Sequence, residues 1–330
     1  MYKKQLGLLI LAFLVSRILA LMAGIHLRYD ALLSYWQYLD LETLRHHLLR
    51  GIWYDHAQPP FFNLLLGLVL KTAGSAAPIV FAVLLYLISL ANTLLLFTIL
   101  TRLVRHPRLP FYIALLYMLS PALLIFETEL FYTTFISLLL LLSAFFLIRL
   151  KTDRRWTTIA GICAPLAIAC LTRSMFHLLW LIVIAGALLY LLGKDPARKA
   201  LSIGLALSIL LVAGWYTHEK MVFGQFSSSS WLGMNLARTV FHDHPVTDSS
   251  RIEAYEPFSP IQTYTRFIDP EKLKKYAGLN DRDLFGKYKN DTLLNATHAG
   301  YIQVSKQYMK AATDYIRRHP AWYLQNVAQS

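Results

Sequence analysis

Residues 50–68 read RGIWYDHAQPPFFNLLLGL and place a short polar stretch directly before an apolar run. Asp55, His56 and Gln58 are followed by two prolines, and the apolar stretch then covers only residues 61–70. A run this short cannot cross a hydrocarbon core of ~30 Å, because a spanning helix needs about 20 residues. The segment therefore predicts a surface-lying or re-entrant helix that begins at the prolines.

The rest of the composition is typical of an all-α integral membrane protein with several spans. Of 330 residues, 56% are hydrophobic and 15% are charged, and the mean hydropathy is +0.45. Short alternating segments of the kind that form a membrane β-barrel do not recur. Apolar runs of about span length predict about seven transmembrane helices, over residues 5–24, 77–101, 110–126, 130–149, 156–172, 177–193 and 199–216.

The distribution of basic residues predicts the orientation of these spans. With a cytoplasmic N-terminus, the inner segments carry twelve Lys and Arg residues and the short outer segments carry five. The positive-inside rule favours this arrangement, provided that the helix after the prolines does not cross. Because topology accounts for most of the formal net charge of +13, no nucleic-acid partner is expected.

Residues 217–330 differ from the preceding part, because they are polar and mixed in charge and include the serine run FSSSSW at 226–231. They are expected to form a small extracytoplasmic region. The final residues AWYLQNVAQS resemble the start of another span, an interpretation under which the chain belongs to a longer protein. The predicted domains are a transmembrane bundle over 1–216, with surface helices in its outer loop 25–76, and the region 217–330.

The first outer loop looks helical and amphipathic over residues 33–49. A single helix would place Asp40 and His47 two turns apart on one face. Asp40 is a candidate base, and its alternative role is that of a solvated surface residue. No HExxH motif or paired-cysteine spacing is present, so no metal site is predicted. The apolar face expected to lie on the membrane consists of Trp36, Leu39, Leu44 and Leu48.

Acidic residues in the other outer loops are further candidates. Asp30 follows the first span, and Glu127 and Glu129 lie in a predicted tight turn between apolar runs. A carboxylate at the apolar boundary is costly to keep charged, which favours proton acceptance. Arg173 lies in another outer turn, against the positive-inside trend, where it would hold an anion such as a lipid phosphate or extend to headgroups. Arg17, in the middle of a span, is expected to face the bundle interior, paired or beside a cavity.

Three segments resemble the GT-C superfamily of glycosyltransferases, and in particular its protein O-mannosyltransferase and aminoarabinose-transferase branch. They are HAQPPFFNLLLGLVLKTAG at 56–74, FETELFYTTFISLLLLL at 126–142 and LTRSMFHLLWLIVIAGALLYLL at 171–192. The resemblance covers roughly residues 5–220. The acidic tag that the family carries after its first span has two competing counterparts here, RYDALLSY and QYLDLETL, and the lysine of the family's turn is replaced by Arg173.

The resemblance implies a GT-C-like helix bundle that transfers a sugar from a polyprenyl-phosphate donor at the outer face of a bacterial inner membrane. The acceptor would be a lipid, a glycan or a protein. Asp30 or Asp40 would act as the base, and Glu127 would orient the acceptor. The implied substrate-binding residues are Arg173, His56, Gln58, Lys71 and Glu129. No cofactor is predicted, and a divalent metal ion is an alternative that no motif supports.

Two other functions remain open at this stage. A lipid-linked-sugar flippase or transporter also collects ionisable groups, although the broken spans and paired halves typical of such proteins are not visible in the sequence. The second alternative is a non-catalytic membrane assembly protein whose outer region binds partners.

Overall fold

The computed structural model describes residues 2–241, 295 and 297–329. Over these residues the fold is all-helical and contains no strand, which confirms the all-α part of the predicted class. The chain divides into two compact units, Met1–Ser34 with Pro60–Trp215 and Tyr35–Pro59 with Tyr216–Ser330. Residues 35–59, expected in the outer loop of the bundle, thus group with the C-terminal part of the chain.

The helices are named in chain order. They are α1 (Tyr2–Met22), α2 (Ala31–Ser34), α3 (Leu41–His46), α4 (Leu48–Trp53), α5 (Pro60–Ala73), α6 (Ala77–Leu103), α7 (Leu109–Leu119), α8 (Pro121–Thr128), α9 (Thr133–Arg149), α10 (Trp156–Cys170), α11 (Leu178–Leu192), α12 (Ala197–Phe223), α13 (Leu232–Phe241), α14 (Gly300–Arg318) and α15 (Pro320–Gln329). One turn of 3-10 helix at Gly74–Ala76 joins α5 to α6.

Several helices are compatible with a membrane protein. Among the described residues, α1, the 44-residue segment Pro60–Leu103 and α12 are each long and apolar enough to cross a bilayer. The pair α7 and α8 adds a fourth if it counts as one bent span. Helices α9, α10 and α11 are apolar but only 15 to 17 residues long. The number of seven spans therefore stays a prediction, as does the surface position of α5.

The predicted span 110–126 is not one continuous helix, because the chain breaks between α7 and α8 with a bend of 51°. Pro121 favours the break, since the residue before a proline is biased away from helical geometry towards an extended one. Ser120 is accordingly extended, with ψ of 136°. Its hydroxyl oxygen accepts a hydrogen bond from the backbone N–H of Leu123 at 3.3 Å and so caps α8.

The single amphipathic helix predicted over 33–49 is also wrong, because α2, α3 and α4 are separate. Asp40 precedes α3 and caps it, accepting a hydrogen bond from the Glu42 backbone N–H at 3.1 Å. His47, with φ of −125°, separates α3 from α4. The expected membrane-facing residues Leu39, Leu44 and Leu48 are instead buried within the protein.

The first unit contains a buried ion pair between α1 and α8. Arg17 is 4% exposed and Glu127 is 2% exposed. Arg17 Nε donates to Glu127 Oε2 at 2.8 Å, and Nη2 and the hydroxyl of Ser89 on α6 both donate to Oε1. Arg17 Nη1 also donates to the carbonyl of Met118, near the end of α7, at 2.9 Å. The expectation that Arg17 is paired in the interior is therefore confirmed.

We expect Arg17→Met and Glu127→Leu each to lower the free energy of unfolding by about 3–5 kcal/mol, because either change leaves one buried charge without its partner. The double variant should recover most of this loss, since it removes both charges. Thermal and chemical unfolding in detergent measures all three proteins. Additive losses in the double variant would contradict the pairing.

The second unit is held by a close approach of α13 to α14. The backbone N–H of Gly233 donates to Ser305 Oγ at 3.0 Å, and a Cβ at Gly233 would lie 1.9 Å from the Ser305 carbonyl oxygen. Only glycine fits this contact. Helix α15 is joined to the end of α13, because Trp322 and Asn326 both donate to the carbonyl of Val240, at 3.1 and 2.9 Å. The shared core contains Met234, Ala237, Val240, Tyr301, Val304, Tyr308, Ala312 and Tyr315.

Gly233→Ala should destabilise the second unit by about 1–3 kcal/mol, because the added methyl group forces the two helix backbones apart. Gly214→Ala in α12 is the matched control, since no atom lies within 4 Å of the Cβ position there. The control should be neutral or slightly stabilising, as alanine is the better helix former. Equal unfolding temperatures for the two variants would contradict the tight contact.

Candidate functional site at the acidic end of the first unit

Two of the predicted acidic residues come together around Arg28. The Arg28 guanidinium contacts Asp30 Oδ2 at 3.2 Å and Glu129 Oε1 at 3.1 Å. The backbone N–H of Arg28 donates to the carbonyl of Thr128 at 2.7 Å, so the chain after α1 is fixed to the end of α8. The side chains of Arg28 and Asp30 are 62% and 61% exposed, whereas Glu129 is 18% exposed. We name the end of the first unit that carries this cluster the acidic end.

Arg173 belongs to the same end. Its guanidinium carbon lies 5.2 Å from the ring centroid of Tyr132, which follows Glu129 by three residues. This distance is within the range of a cation–π contact. The start of α5 reaches the same turn, because the backbone N–H of Phe61 donates to the carbonyl of Leu171 at 2.8 Å. The acidic end therefore combines two carboxylates with two guanidinium groups.

The predicted inner basic residues lie together at helix ends elsewhere in the first unit, which we name the basic end. Three contacts join neighbouring helix ends and loops there. The contacts are Gln5 Nε2 to the Pro107 carbonyl at 3.3 Å, Arg102 over the Phe145 ring at 5.6 Å, and Arg154 to Asp195 at 3.1 Å. The separation of acidic from basic loops, inferred from sequence, thus appears in the fold of this unit.

Two candidate residues of the first unit lie apart from the Arg28 cluster. Glu127 is in the last turn of α8, and both of its carboxylate oxygens contact Arg17 or Ser89. Its geometry is that of a positioning residue, and a direct role with substrate stays a prediction. Lys71 is exposed in the last turn of α5, about 15 Å along the helix axis from Phe61.

In the second unit, the polar stretch DHAQ at 55–58 packs against the serine run at 227–230. His56 Nδ1 lies 2.7 Å from Ser230 Oγ, and the Ser230 backbone N–H donates to the His56 carbonyl at 2.7 Å. The Ser229 hydroxyl donates to the carbonyl of Ala57 at 2.6 Å. His56 and Ala57 therefore bind a segment that lies more than 170 positions later in the chain.

Asp55 and the prolines complete this segment. Asp55 is 1% exposed, and its Oδ1 accepts hydrogen bonds from the backbone N–H groups of Ala57 and Gln58, at 3.1 and 3.2 Å. Gln58 itself is buried. Pro59 is the last residue of Tyr35–Pro59, which belongs to the second unit. Pro60 is the first residue of Pro60–Trp215, which belongs to the first unit, and of helix α5. A proline at the first helical position loses no hydrogen bond and has the φ that the helix needs.

His56 is kept neutral by its surroundings. Burial lowers the pKa of His56 to about 3, and the nearby His298 ring acts in the same direction. The ring also packs edge-on against Phe223, with 5.1 Å between centroids. The phosphate-binding role expected for His56 does not fit an uncharged side chain that is 1% exposed.

Sequence reasoning missed most of the buried polar residues around this segment. Asn295 Oδ1 accepts the Thr297 backbone N–H at 3.1 Å, and His298 Nδ1 accepts the Gly300 backbone N–H at 3.0 Å at the start of α14. Of the buried polar residues around this segment, the sequence pattern indicated only the serine run, because isolated polar residues carry no periodic signal. Among the described residues, no group of three His, Cys, Asp or Glu side chains is placed to hold a metal ion. The missed residues are His218, Glu219, Asn295 and His298.

Asp40, the second candidate base, lies in the second unit, whereas Asp30 lies in the first. Its carboxylate caps α3, as described above, a structural role that the sequence pattern did not distinguish from catalysis.

Comparisons with known proteins add no relative to this picture: no protein-family model, no curated protein and no solved structure matches the chain.

His56 makes the stability of the protein depend on pH. In the unfolded chain the imidazole binds a proton below its ordinary pKa of 6.5, whereas in the folded protein it does so only near 3. The free energy of unfolding should therefore fall as the pH drops from about 6.5 towards 3, by roughly 2 kcal/mol at pH 5.

His56→Gln should remove this part of the pH dependence, although it also lowers stability at neutral pH. His47→Gln, at an exposed position in the same unit, is the control and should retain the wild-type slope. Unfolding temperatures between pH 5 and pH 8 measure the effect. A slope that survives in His56→Gln would show that another group is responsible.

Proposed function

We propose that this protein is a membrane glycosyltransferase that moves a sugar from a polyprenyl-phosphate donor to a hydroxyl or amine acceptor. The observation that carries the proposal is the cluster in which Arg28 contacts both Asp30 and Glu129, at the end of the first unit that also holds Arg173. A transfer from a lipid phosphate needs a carboxylate and cationic groups together. The acidic end supplies both.

Asp30 is the proposed base, because its carboxylate is 61% exposed and therefore accessible to an acceptor. The acceptor oxygen or nitrogen attacks the anomeric carbon as the bond from that carbon to the phosphate oxygen breaks. The acceptor proton goes to Asp30, and the lipid phosphate leaves with the bonding electrons. Arg173 stabilises the phosphate, since a guanidinium group binds two phosphate oxygens at once. Arg28 and Glu129 hold Asp30 in place.

The basic end favours the proposed orientation. By the positive-inside rule, its Lys and Arg residues belong on the cytoplasmic side of the membrane. In a bacterial inner membrane the acidic end would then lie on the outer side. A donor with its headgroup at the outer face would then meet Asp30 and Arg173 directly. The acceptor is a lipid, a glycan or a protein at the same face.

One observation favours a second candidate, a flippase or transporter of lipid-linked sugars. The break between α7 and α8 gives the bundle a discontinuous helix, with the Arg17–Glu127 pair beside it. Discontinuous helices and buried charges mark the binding sites of many transporters. This feature was not visible in the sequence, and it makes lipid movement a direct competitor to sugar transfer.

The first experiment is mass spectrometry of lipids that co-purify with the protein, followed by a transfer assay with the lipid found. Asp30→Asn should lower the transfer rate by about 10²–10⁴-fold, because the base is lost. Asp153→Asn is the matched control, since it removes an acid at the basic end that pairs with Arg149. It should leave transfer unchanged.

Vesicle reconstitution separates the two candidates. Transfer that is lost in Asp30→Asn, with normal membrane insertion, supports the enzyme. Movement of the sugar-linked lipid between leaflets without any transfer supports the flippase. If no sugar-linked polyprenyl phosphate co-purifies and neither activity is found with added donor, both proposals are wrong.

A further inference from the structure

A shallow cavity of about 610 Å³, largely open to its surroundings, lies at the basic end of the first unit, between the end of α11 and the start of α12. Gly193 ends α11 with φ of 52°, in the left-handed region that favours glycine, and so turns the chain into the cavity wall. The polar part of the wall is made of Lys194, Asp195, Arg198, Lys199 and Ser202.

The negative charge of the carboxylate in this wall, Asp195, is already balanced by Arg154, which does not line the cavity. Asp195 Oδ1 accepts the Ala197 backbone N–H at 2.8 Å, and Oδ2 pairs with Arg154 at 3.1 Å. The backbone hydrogen bond and the pairing with Arg154 both lower the pKa of Asp195, so it stays ionised and bound. It therefore does not cancel the charge of the three basic side chains that line the cavity.

Those three cations are available to an anion. Arg198 Nη1 donates to the carbonyl of Gly193 at 2.9 Å, which places its guanidinium at the cavity wall. Within residues 2–241, 295 and 297–329, the side chains of Lys194 and Lys199 form no hydrogen bond or ion pair. Lys194, Arg198 and Lys199 are all exposed. The cavity thus has surplus positive charge, which favours a negatively charged ligand.

Apolar side chains adjoin this charge. Tyr190 and Leu191, in the last turn of α11, are 84% and 76% exposed, and Leu189 is part of the cavity wall. Ile203 on α12 is 42% exposed. A soluble anion contacts only the basic side chains. An amphiphile with an anionic head and acyl chains contacts both the basic and the apolar side chains.

We propose that this cavity binds the headgroup of an anionic phospholipid. Lys194, Arg198 and Lys199 contact the phosphate, and the exposed end of α11 contacts the acyl chains. Basic pockets between transmembrane helices bind anionic headgroups in this way. The inference is independent of sugar transfer, because the cavity lies at the basic end and the proposed catalytic cluster lies at the acidic end.

Titration of the detergent-solubilised protein with phosphatidylglycerol, followed by native mass spectrometry, tests the proposal. The wild type should bind phosphatidylglycerol in preference to phosphatidylcholine. Removal of each lysine should weaken binding by roughly fivefold, and Lys194→Gln with Lys199→Gln by about 25-fold. The matched control is Arg105→Gln with Arg108→Gln, which removes equal charge from an exposed loop and should retain wild-type affinity.

Three results would overturn the proposal. These are full phosphatidylglycerol binding by the lysine variant, equal weakening in the arginine control, and displacement of the lipid by an equal concentration of glycerol phosphate. The last would identify a site for soluble anions. Should the lysine variant fail to fold, the wild type decides: preference for phosphatidylglycerol that falls at high salt and resists glycerol phosphate supports the site, and no preference refutes it.

Discussion

The ion pair between Arg17 and Glu127 is the constraint on which the first unit depends. A charge in an apolar interior is tolerated only with a partner, and here the partner lies 110 positions away in sequence. Forming this pair brings α1 against α8, and the additional bonds to Ser89 and to the Met118 carbonyl include α6 and α7. The pair therefore connects four largely apolar helices through one buried polar cluster.

The same pair explains how the break at Pro121 is accommodated. A broken helix leaves carbonyl groups without intrahelical partners, and such groups are costly in an apolar surrounding. Arg17 donates to one of these carbonyls, and Ser120 caps the helix that follows. Helix α8 begins at the break and ends at Thr128, whose carbonyl accepts a hydrogen bond from the backbone N–H of Arg28. The acidic cluster therefore lies at the far end of the helix that the break starts.

Much of the fold was predictable, because apolar helices are recognised from composition over windows of about 20 residues. Helices occur at every predicted span, and Arg17 is paired as expected. The separate helices within 33–49 and the break within 110–126 have local causes, since Asp40 caps a new helix and α7 ends before Pro121. A prediction from long apolar or periodic runs gives little weight to a single cap or a single proline.

The sequence by itself determined the all-α class, the apolar helices and the segregation of acidic from basic loops, because these depend on composition and on chain-local patterns. Only the tertiary structure decided which candidates meet. Asp30 and Glu129 both pair with Arg28. His56 is buried and contacts Ser230, and Glu127 pairs with Arg17. These pairings join residues that are distant in the chain, and no local pattern encodes which distant partner a polar side chain will find.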